Sequence, residues 1–397
     1  MTGPDEQAST VPRNLRHLRV FLAVVDSGTV TAAAETCHIS QPAVTQALNK
    51  LEKATGLSLF SRSPHGLFVT ETGKLLATRV RRAFAYLDPA LSELAPRLRV
   101  TITTAQLQAL IAVREAENFT LAARRLDIAQ PTVHRAITQL EKEAGRPLFG
   151  RTSYGIVATR AAVNLAQAAR LAFAELAQAE ADLAEVLSAE AGRIVIGAMP
   201  LSRSYLLPKA IARFRALRPR LPIQVLEGPY KELLAGLRRG DIDFLIGALR
   251  DPAPIGDVEQ SLLFHDTVVI VAGRHHPLAG RPAVGIGDLA RFPWIVGQAG
   301  TPIRAHFEAL FRQAGIDRPA SIVESGSLIL MRELLDASDH LGCISYLQAQ
   351  AEISRGLLQA LPLDLSHTSR PIGITTRTSW LPTNAQRQFL DLLKAPL

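Results

Sequence analysis

The chain has 397 residues, room for two or three domains, and 47% of them are hydrophobic, enough for ordinary cores. No apolar run is long enough to cross a bilayer, and the opening MTGPDEQASTVPRNLRHLRVF has no apolar stretch after a basic start, so a cytoplasmic protein with no membrane partner is expected. The net charge of +8 suits a nucleic-acid partner but locates no surface for one: residues 1–100 carry +4, residues 101–191 carry −1 and the remainder +5.

Leu15, Leu18, Phe21, Leu22 and Val25 recur at helical spacing and predict a first helix that Ser27-Gly28 ends. Thr29 or Thr31 caps a short second helix, and His38-Ile39 forms the turn after it. Ser40-Gln41-Pro42 opens a third helix: Ser is a good N-cap, and Pro fits the first turn because its missing N–H has no partner there. Val44, Leu48 and Leu51 face inward at i, i+4, i+7, which turns Gln41, Thr45, Gln46 and Asn49 outward. Leu59–Arg62, Ser63-Pro64-His65-Gly66 and Leu67–Thr70 read as strand, turn, strand, a wing whose Arg62 and His65 can reach phosphate or the minor groove. Thr72–Leu98 continues as a helix carrying Arg79, Arg81 and Arg82, interrupted by Pro89 and Pro96.

The same grammar returns 89 residues on. Thr31–Arg62 (TAAAETCHISQPAVTQALNKLEKATGLSLFSR) aligns without a gap to Thr120–Arg151 (TLAARRLDIAQPTVHRAITQLEKEAGRPLFGR), and 20 of the 53 positions from Leu18 to Thr70 are identical to their counterparts. Gln130-Pro131 opens the matching third helix, with His134 and Arg135 outward and Arg151 on the wing. Ser40 has Ala129 as counterpart, a lost cap that typically costs about 1 kcal/mol of helix stability. Thr45-Gln46 becomes His134-Arg135, and Arg135 can read guanine through a bidentate contact. Gly73 becomes Ala162. Thr159–Ser188, rich in Ala, Leu and Glu, predicts a long helix with an apolar seam of Val163, Ala166, Leu171, Leu176, Leu183 and Val186.

The pattern A-A-x-x-x-x-I-S-Q-P-A-V-T-Q-x-L-x-x-L-E-x-x-x-G-x-x-L-F-x-R resembles the DNA-binding signature of the LysR-type transcriptional regulators. That resemblance implies a recognition helix starting at Ser-Gln-Pro, a wing starting at Leu-Phe-x-Arg, and a long linker helix that dimerises by lying antiparallel to its twin. It implies DNA contacts from Ser40, Gln41, Pro42, Thr45, Gln46, Asn49, Arg62 and His65 in the first copy, and from Gln130, Pro131, His134, Arg135 and Arg151 in the second. Two possibilities stay open: both copies bind DNA, or one has become a scaffold.

Gly192 marks a change of pattern. Strands at 193–198, 223–227, 242–247, 268–272, 321–324, 341–345 and 372–376 alternate with helices at 206–217, 230–239, 303–314, 328–336 and 383–393, which predicts a parallel-type α/β architecture. The phrases G-R-I-V-I-G-A, L-L-P-K-A-I-A-R-F-R-A-L-R-P and L-R-R-G-D-I-D-F-L-I-G resemble the two-lobed, periplasmic-binding-protein-like effector domain of LysR-type regulators. P-W-I-V-G-Q-A-G-T-P-I-R resembles the branch of galactose-binding-protein regulators. Ligands in such lobes sit outside the C-terminal strand ends. That selects Leu201, Ser202, Arg203 and Ser204, then Ala248 and Leu249, then Thr301 and Arg304, then Ser325, Gly326 and Ser327, with the two arginines as anion partners.

The expected fold class is therefore multidomain. A first winged helix-turn-helix (13–71), a linker helix and connector (72–101), a second winged helix-turn-helix (102–160) and a dimerisation helix (161–190) precede a two-lobed effector domain (192–397). Lobe 1 takes about 192–255 and 350–397, and lobe 2 about 256–349. The expected partners are double-stranded promoter DNA, a small-molecule effector and a second or fourth copy of the chain, with RNA polymerase further on. Nothing in the sequence points to catalysis: GxSxG, HExxH, a P-loop and a strand-led GxGxxG are all missing. Cys37 and Cys343 have no CxxC or CxxH partner and read as isolated thiols, so neither a metal nor a cofactor is expected. The alternative is a small-molecule-binding protein whose helix-turn-helix units serve mainly as an oligomerisation scaffold.

Overall fold

Side-chain caps set the helix starts in a computed structural model that describes residues 14–63, 66–153, 155–251 and 255–395. Asn14, Thr29, Ser40 and Thr70 each accept a backbone N–H in the first turn of α1 (Leu15–Ser27), α2 (Val30–Cys37), α3 (Gln41–Thr55) and α4 (Glu71–Leu94). Gly28 and Gly56 stop α1 and α3 at φ 70° and 68°, a left-handed conformation that glycine adopts without strain. Between α3 and α4, β1 (Phe60–Ser63) and β2 (Gly66–Val69) pair antiparallel as the wing.

After α5 (Leu98–Thr101) the order of elements recurs: α6 (Thr104–Ala116), α7 (Phe119–Arg125), α8 (Gln130–Ala144), β3 (Phe149–Thr152), β4 (Gly155–Ala158) and α9 (Arg160–Val186). Thr103, Asn118 and Thr159 cap α6, α7 and α9, while Ala129 leaves α8 without a side-chain cap. In each half a glutamate ties the wing to the third helix. Glu52 Oε1 accepts the N–H groups of Leu59 (2.8 Å) and Phe60 (3.2 Å), and Glu141 Oε1 those of Leu148 (2.7 Å) and Phe149 (3.2 Å).

The two long helices pack side by side and antiparallel. Arg79 donates to Asp182 (2.7 Å), Gln178 (2.8 Å) and Glu175 (3.2 Å), and Arg82, one turn further along α4, donates to Glu175 (2.7 Å), further back along α9. Around this cluster α4 buries Leu76, Val80, Ala83 and Leu87, and α9 buries Ala162, Leu165, Ala169, Ala172, Leu176, Ala179 and Leu183. That three-four spacing is a coiled-coil seam, and its alanines let the backbones approach. The seam belongs to one core shared with α1–α3 and α6–α8.

Two expectations are corrected by these helices. α4 runs through Pro89 rather than stopping there, because the seam on either side holds the helix. Val186 is 48% exposed and outside the seam, whose phase differs from that read off the large side chains. α4 of the same chain lies antiparallel along α9, so the first linker helix packs beside the second.

Ile194–Leu397 is a separate unit. Its first sheet has the order β6-β5-β7-β14-β8, built from β5 (Ile194–Ala198), β6 (Ile223–Leu226), β7 (Phe244–Ala248), β8 (Val258–Asp266) and β14 (Arg370–Arg377). A π-turn (Ser202–Leu206), α10 (Leu207–Leu217), α11 (Tyr230–Arg239) and α16 (Asn384–Lys394) go with it. The second sheet has the order β11-β10-β12-β9-β13: β9 (Val268–Gly273), β10 (Trp294–Val296), β11 (Ile322–Glu324), β12 (Leu341–Ser345) and β13 (Leu358–Ala360). Its helices are α12 (Ile286–Leu289), α13 (Pro302–Gln313), α14 (Leu328–Ala337) and α15 (Tyr346–Ser354).

β5, β6 and β7 are mutually parallel, as are β10, β11 and β12, but β14, β8, β9 and β13 enter by antiparallel pairing. The sheets are thus mixed rather than parallel. β8 pairs with β14 and β13 with β9, so the first lobe extends to Asp266 and the second keeps α15 and β13, which moves the expected lobe limits of 255/256 and 349/350. The two crossings between lobes are pinned together, Val268 N–H donating to Thr368 Oγ1 at 3.0 Å.

Arg79→Met removes the buried cation that lies between Glu175, which keeps Arg82, and the half-buried Asp182. Breaking a buried pair from one side costs about 3–5 kcal/mol, so denaturant unfolding of the full chain is expected to show a loss of that size in the transition of the head unit. Arg81→Ala, which removes an exposed pair with Asp26, is expected to cost under about 1 kcal/mol. Cys343 lies in the core of the second lobe, where burial pushes its thiol up to about 12. A disulfide-exchange reagent at pH 8 is therefore expected to titrate at most Cys37 in the folded protein and both cysteines after denaturation. Rapid modification of Cys343 in the folded chain would contradict that burial.

Candidate nucleic-acid interface and effector cleft

The exposed face of α3 follows from what its other face buries. Val44, Ala47, Leu48 and Leu51 go into the core, which leaves Gln41, Pro42, Gln46 and Asn49 exposed and Thr45 half-buried. Ser40 Oγ is occupied by the cap, accepting from Ala43 N–H at 3.4 Å. On α8 the core takes Val133, Ile137 and Leu140, and Gln130, Pro131, His134, Arg135, Thr138 and Gln139 line an open depression. Both helices thus offer a free N-terminal end, with backbone N–H groups and amide side chains suited to phosphate and base edges.

The two faces differ in shape as well as in residue type. Beside α3, a groove of about 310 Å³ runs between helix and wing, lined by Val30, Thr45, Asn49, Phe60 and Leu67 among others. In the second half Phe119 stands where Val30 does, its ring 5.2 Å from that of His134 and 6.4 Å from that of Phe149. His134 Nδ1 also lies 3.3 Å from Thr138 Oγ1. His134 is therefore braced, and Arg135 beside it is exposed and makes no ion pair among the described residues. Arg62 lies on β1 and Arg151 is exposed on β3. His65 lies outside the described residues.

In the C-terminal unit the selected loops fall into two groups. Leu201–Ser204 follows β5, and Ala248-Leu249 ends β7, the neighbouring strand, so these come together in the first lobe. Thr301 and Arg304 follow β10, and Ser325–Ser327 follows β11, again neighbours, with Ser325 N–H donating to Val296 O at 2.8 Å.

Most of the hydroxyls there are engaged locally. Buried Ser202 donates to Met199 O at 2.7 Å, Thr301 caps α13 and Ser327 caps α14. The two selected arginines each meet carboxylates of their own lobe. Arg203 is paired with Glu227, and buried Arg304 with Glu308 (2.8 Å) and Glu324 (2.7 Å).

The expectation missed the residues at the crossing. Tyr346 N–H donates to Thr267 O at 2.8 Å and Leu347 N–H to Asp266 Oδ1 at 3.1 Å, which ties α15 to the strand between lobes, while α15 also packs on the π-turn of the first lobe. Arg370, deeply buried, reaches Asp266 at 3.3 Å and leaves its Nε without a partner among the described residues. Burial, with Arg250 adding to it, draws Arg370 below the ordinary arginine value against the pull of Asp266. Burial first, and then the charges of Arg370 and His367, hold His306 down as well. A buried charge beside a strand end was the available signal; in the sequence it looked like an ordinary strand arginine.

Known proteins agree with this construction. The family described as "Bacterial regulatory helix-turn-helix protein, lysR family" matches residues 15–74 and 104–163, and "LysR substrate binding domain" matches 188–397. HTH-type transcriptional regulator GalR of Pseudomonas putida is 35% identical over 375 residues, 94% of each chain. HTH-type transcriptional regulator GbpR of Azospirillum brasilense is 26% identical over 70% of this chain and 81% of its own.

Among solved structures, a full-length OxyR variant from Pseudomonas aeruginosa (TM-score 0.54, 21% identity) covers 74% of this chain and 95% of its own. Full-length CbnR complexed with its target DNA (TM-score 0.52, 19% identity) covers 73% and 98%. These show the fold, and they leave about a quarter of this chain without a counterpart. The chain belongs to the LysR family of helix-turn-helix transcriptional regulators, with a DNA-binding head and a two-lobed effector-binding domain, and is a regulator rather than an enzyme.

Proposed function

We propose that the head is an internal duplication and that both copies read duplex DNA, α3 and α8 each entering a major groove. The observation that carries this is Arg135: a guanidinium on the exposed face of α8 that makes no ion pair among the described residues, in a copy that lacks a side-chain cap yet keeps its groove-facing polar side chains. The first copy would read through Gln41, Gln46 and Asn49, with Thr45 half-buried beside them, Ser40 and Pro42 at the helix start and Arg62 on the wing strand. The second would read through Gln130, Pro131, His134 and Arg135, with Arg151 on its wing. The protein then acts in the cytoplasm, where bound effector changes how a homo-oligomer presents itself to promoter DNA and to RNA polymerase.

The effector site is the interlobe cleft bounded by Leu201–Ser204, Ala248-Leu249, Thr301 and Ser325–Ser327, with Tyr346 and the crossing strands at its back. An acidic ligand fits best, because Arg370 and Arg250 bring positive charge to the crossing, with His306 near them and the carboxylate of Asp266 set against them. Such a ligand favours protonated His306. Its binding takes up a proton there and is tighter at pH 6 than at pH 8.

Nuclease footprinting of the full chain tests the DNA reading. Gln41→Ala and Arg135→Ala are each expected to weaken a different part of the protected region, by roughly 5–150-fold in affinity for a lost bidentate base contact. If Arg135→Ala leaves the footprint intact, the second copy is a scaffold. Thermal shift tests the ligand class. At a hundredfold excess over Kd a sugar acid or aromatic acid is expected to raise Tm by roughly 5–10 °C, more at pH 6 than at pH 8. A shift from neutral sugars alone would overturn the acidic assignment.

A further inference from the structure

Arg79 and its partners sit on one side only of the α4–α9 seam. At the offset of 89 residues, Arg79 corresponds to Ala168, Arg82 to Leu171, Glu175 to Tyr86, Gln178 to Pro89 and Asp182 to Glu93. The cations therefore belong to α4 and the buried acceptors to α9. Two α9 helices in the same antiparallel register would set Ala168 against Glu175 and Asp182, burying carboxylates with no cation. Two α4 helices would set Arg79 against Tyr86 and Pro89, with Glu93 alone to answer it. A buried charge that only the unlike pairing satisfies selects against both like pairings.

We propose that this charge-coded contact locks the two heads of one chain into a single unlike pair, so that one chain reads a composite duplex site with two different half-elements. The claim rests on the DNA reading above and adds the pairing to it. The surface α9 would offer a twin is covered by α4 of its own chain. The half-elements should differ in chemistry, since Gln41, Gln46 and Asn49 suit adenine edges while Arg135 suits guanine. Association of whole chains is left to surfaces other than this seam.

Cross-linking tests the pairing without DNA. In the full chain, with Cys37→Ser and Cys343→Ala as background, Arg82→Cys and Glu175→Cys are combined in one chain or carried on separate chains refolded together. Both preparations are then treated with a short bismaleimide. The combined variant is expected to give an internally bridged single chain, independent of concentration, and the mixed single variants no chain-to-chain product. A bridged dimer from the mixture would overturn the proposal. Arg82→Cys with Gln178→Cys leaves Glu175 and Asp182 on Arg79 and answers the same question should the first pair not fold.

Selection from random duplexes by the wild-type chain supplies the second arm. It is expected to enrich a site with two unlike elements, and Arg135→Ala to relax one of them by roughly 5–150-fold while sparing the other. Repeats of a single element would overturn the proposal. So would enrichment of no duplex, and a positive internal cross-link then places that failure in the DNA reading rather than in the pairing.

Discussion

A guanidinium 2% exposed, held by Glu175, Gln178 and Asp182, fixes the head of this protein. Apolar seams alone specify register weakly, because one alanine fits against another nearly as well a turn away. A buried charge does not: a slide of one turn would part Arg79 from Glu175 and Gln178, all three of them buried. Register along α4 and α9 in turn sets where each wing and third helix stands, since both halves share one core with these helices. The positions of Gln46 and Arg135 relative to each other are thus a consequence of Arg79.

The two heads differ in a consistent direction. The second has no side-chain cap at Ala129 and carries Phe119, whose ring braces His134 and occupies the place where the first head has an open groove beside its wing. What the two share is the internal scaffolding, the Glu52 and Glu141 bonds to the wing strands and the small residues of α2 and α7. Buried joints tolerate little change because each lost bond leaves a desolvated group behind, whereas exposed positions on α3 and α8 can change without cost to the fold.

Much of this was legible in the sequence. Caps, helix spacing and the 89-residue offset placed α1–α3 and α6–α8 to within a residue or two, and the outward faces of α3 and α8 follow from the buried ones. Three kinds of feature were not legible. Arg79 lies in a run with Arg81 and Arg82 that looks like a solvated face, and only the partner helix, 96 to 103 residues away, shows otherwise. β8 and β13 lack clean alternation: β8 is paired on one edge and shifts register opposite Ile372/Gly373, where a side chain on Gly373 would strike Ser261 O. The antiparallel strands could not be told from parallel ones because strand direction is decided by where the chain crosses between lobes. The loops selected for the effector do stand at strand ends, but the hydroxyls there are mostly spent on local caps.

The crossing is also what makes the C-terminal unit responsive. Each lobe keeps its own apolar clusters, so neither core has to open for the lobes to move. What joins them is polar and thin: the Val268–Thr368 bond, the grip of Asp266 on Leu347 and Arg370, and the packing of α15 on the π-turn. Two adjacent extended segments bend together more easily than they shear, so the motion available is a hinge about the crossing. A ligand shifts such a hinge only by the difference in its affinity for the open and closed forms. Groups that already meet their partners within one lobe, as Arg203 and Arg304 do, contribute equally to both forms. On the reading proposed above, the discriminating contacts come from groups at the crossing itself, where Arg370 and α15 stand.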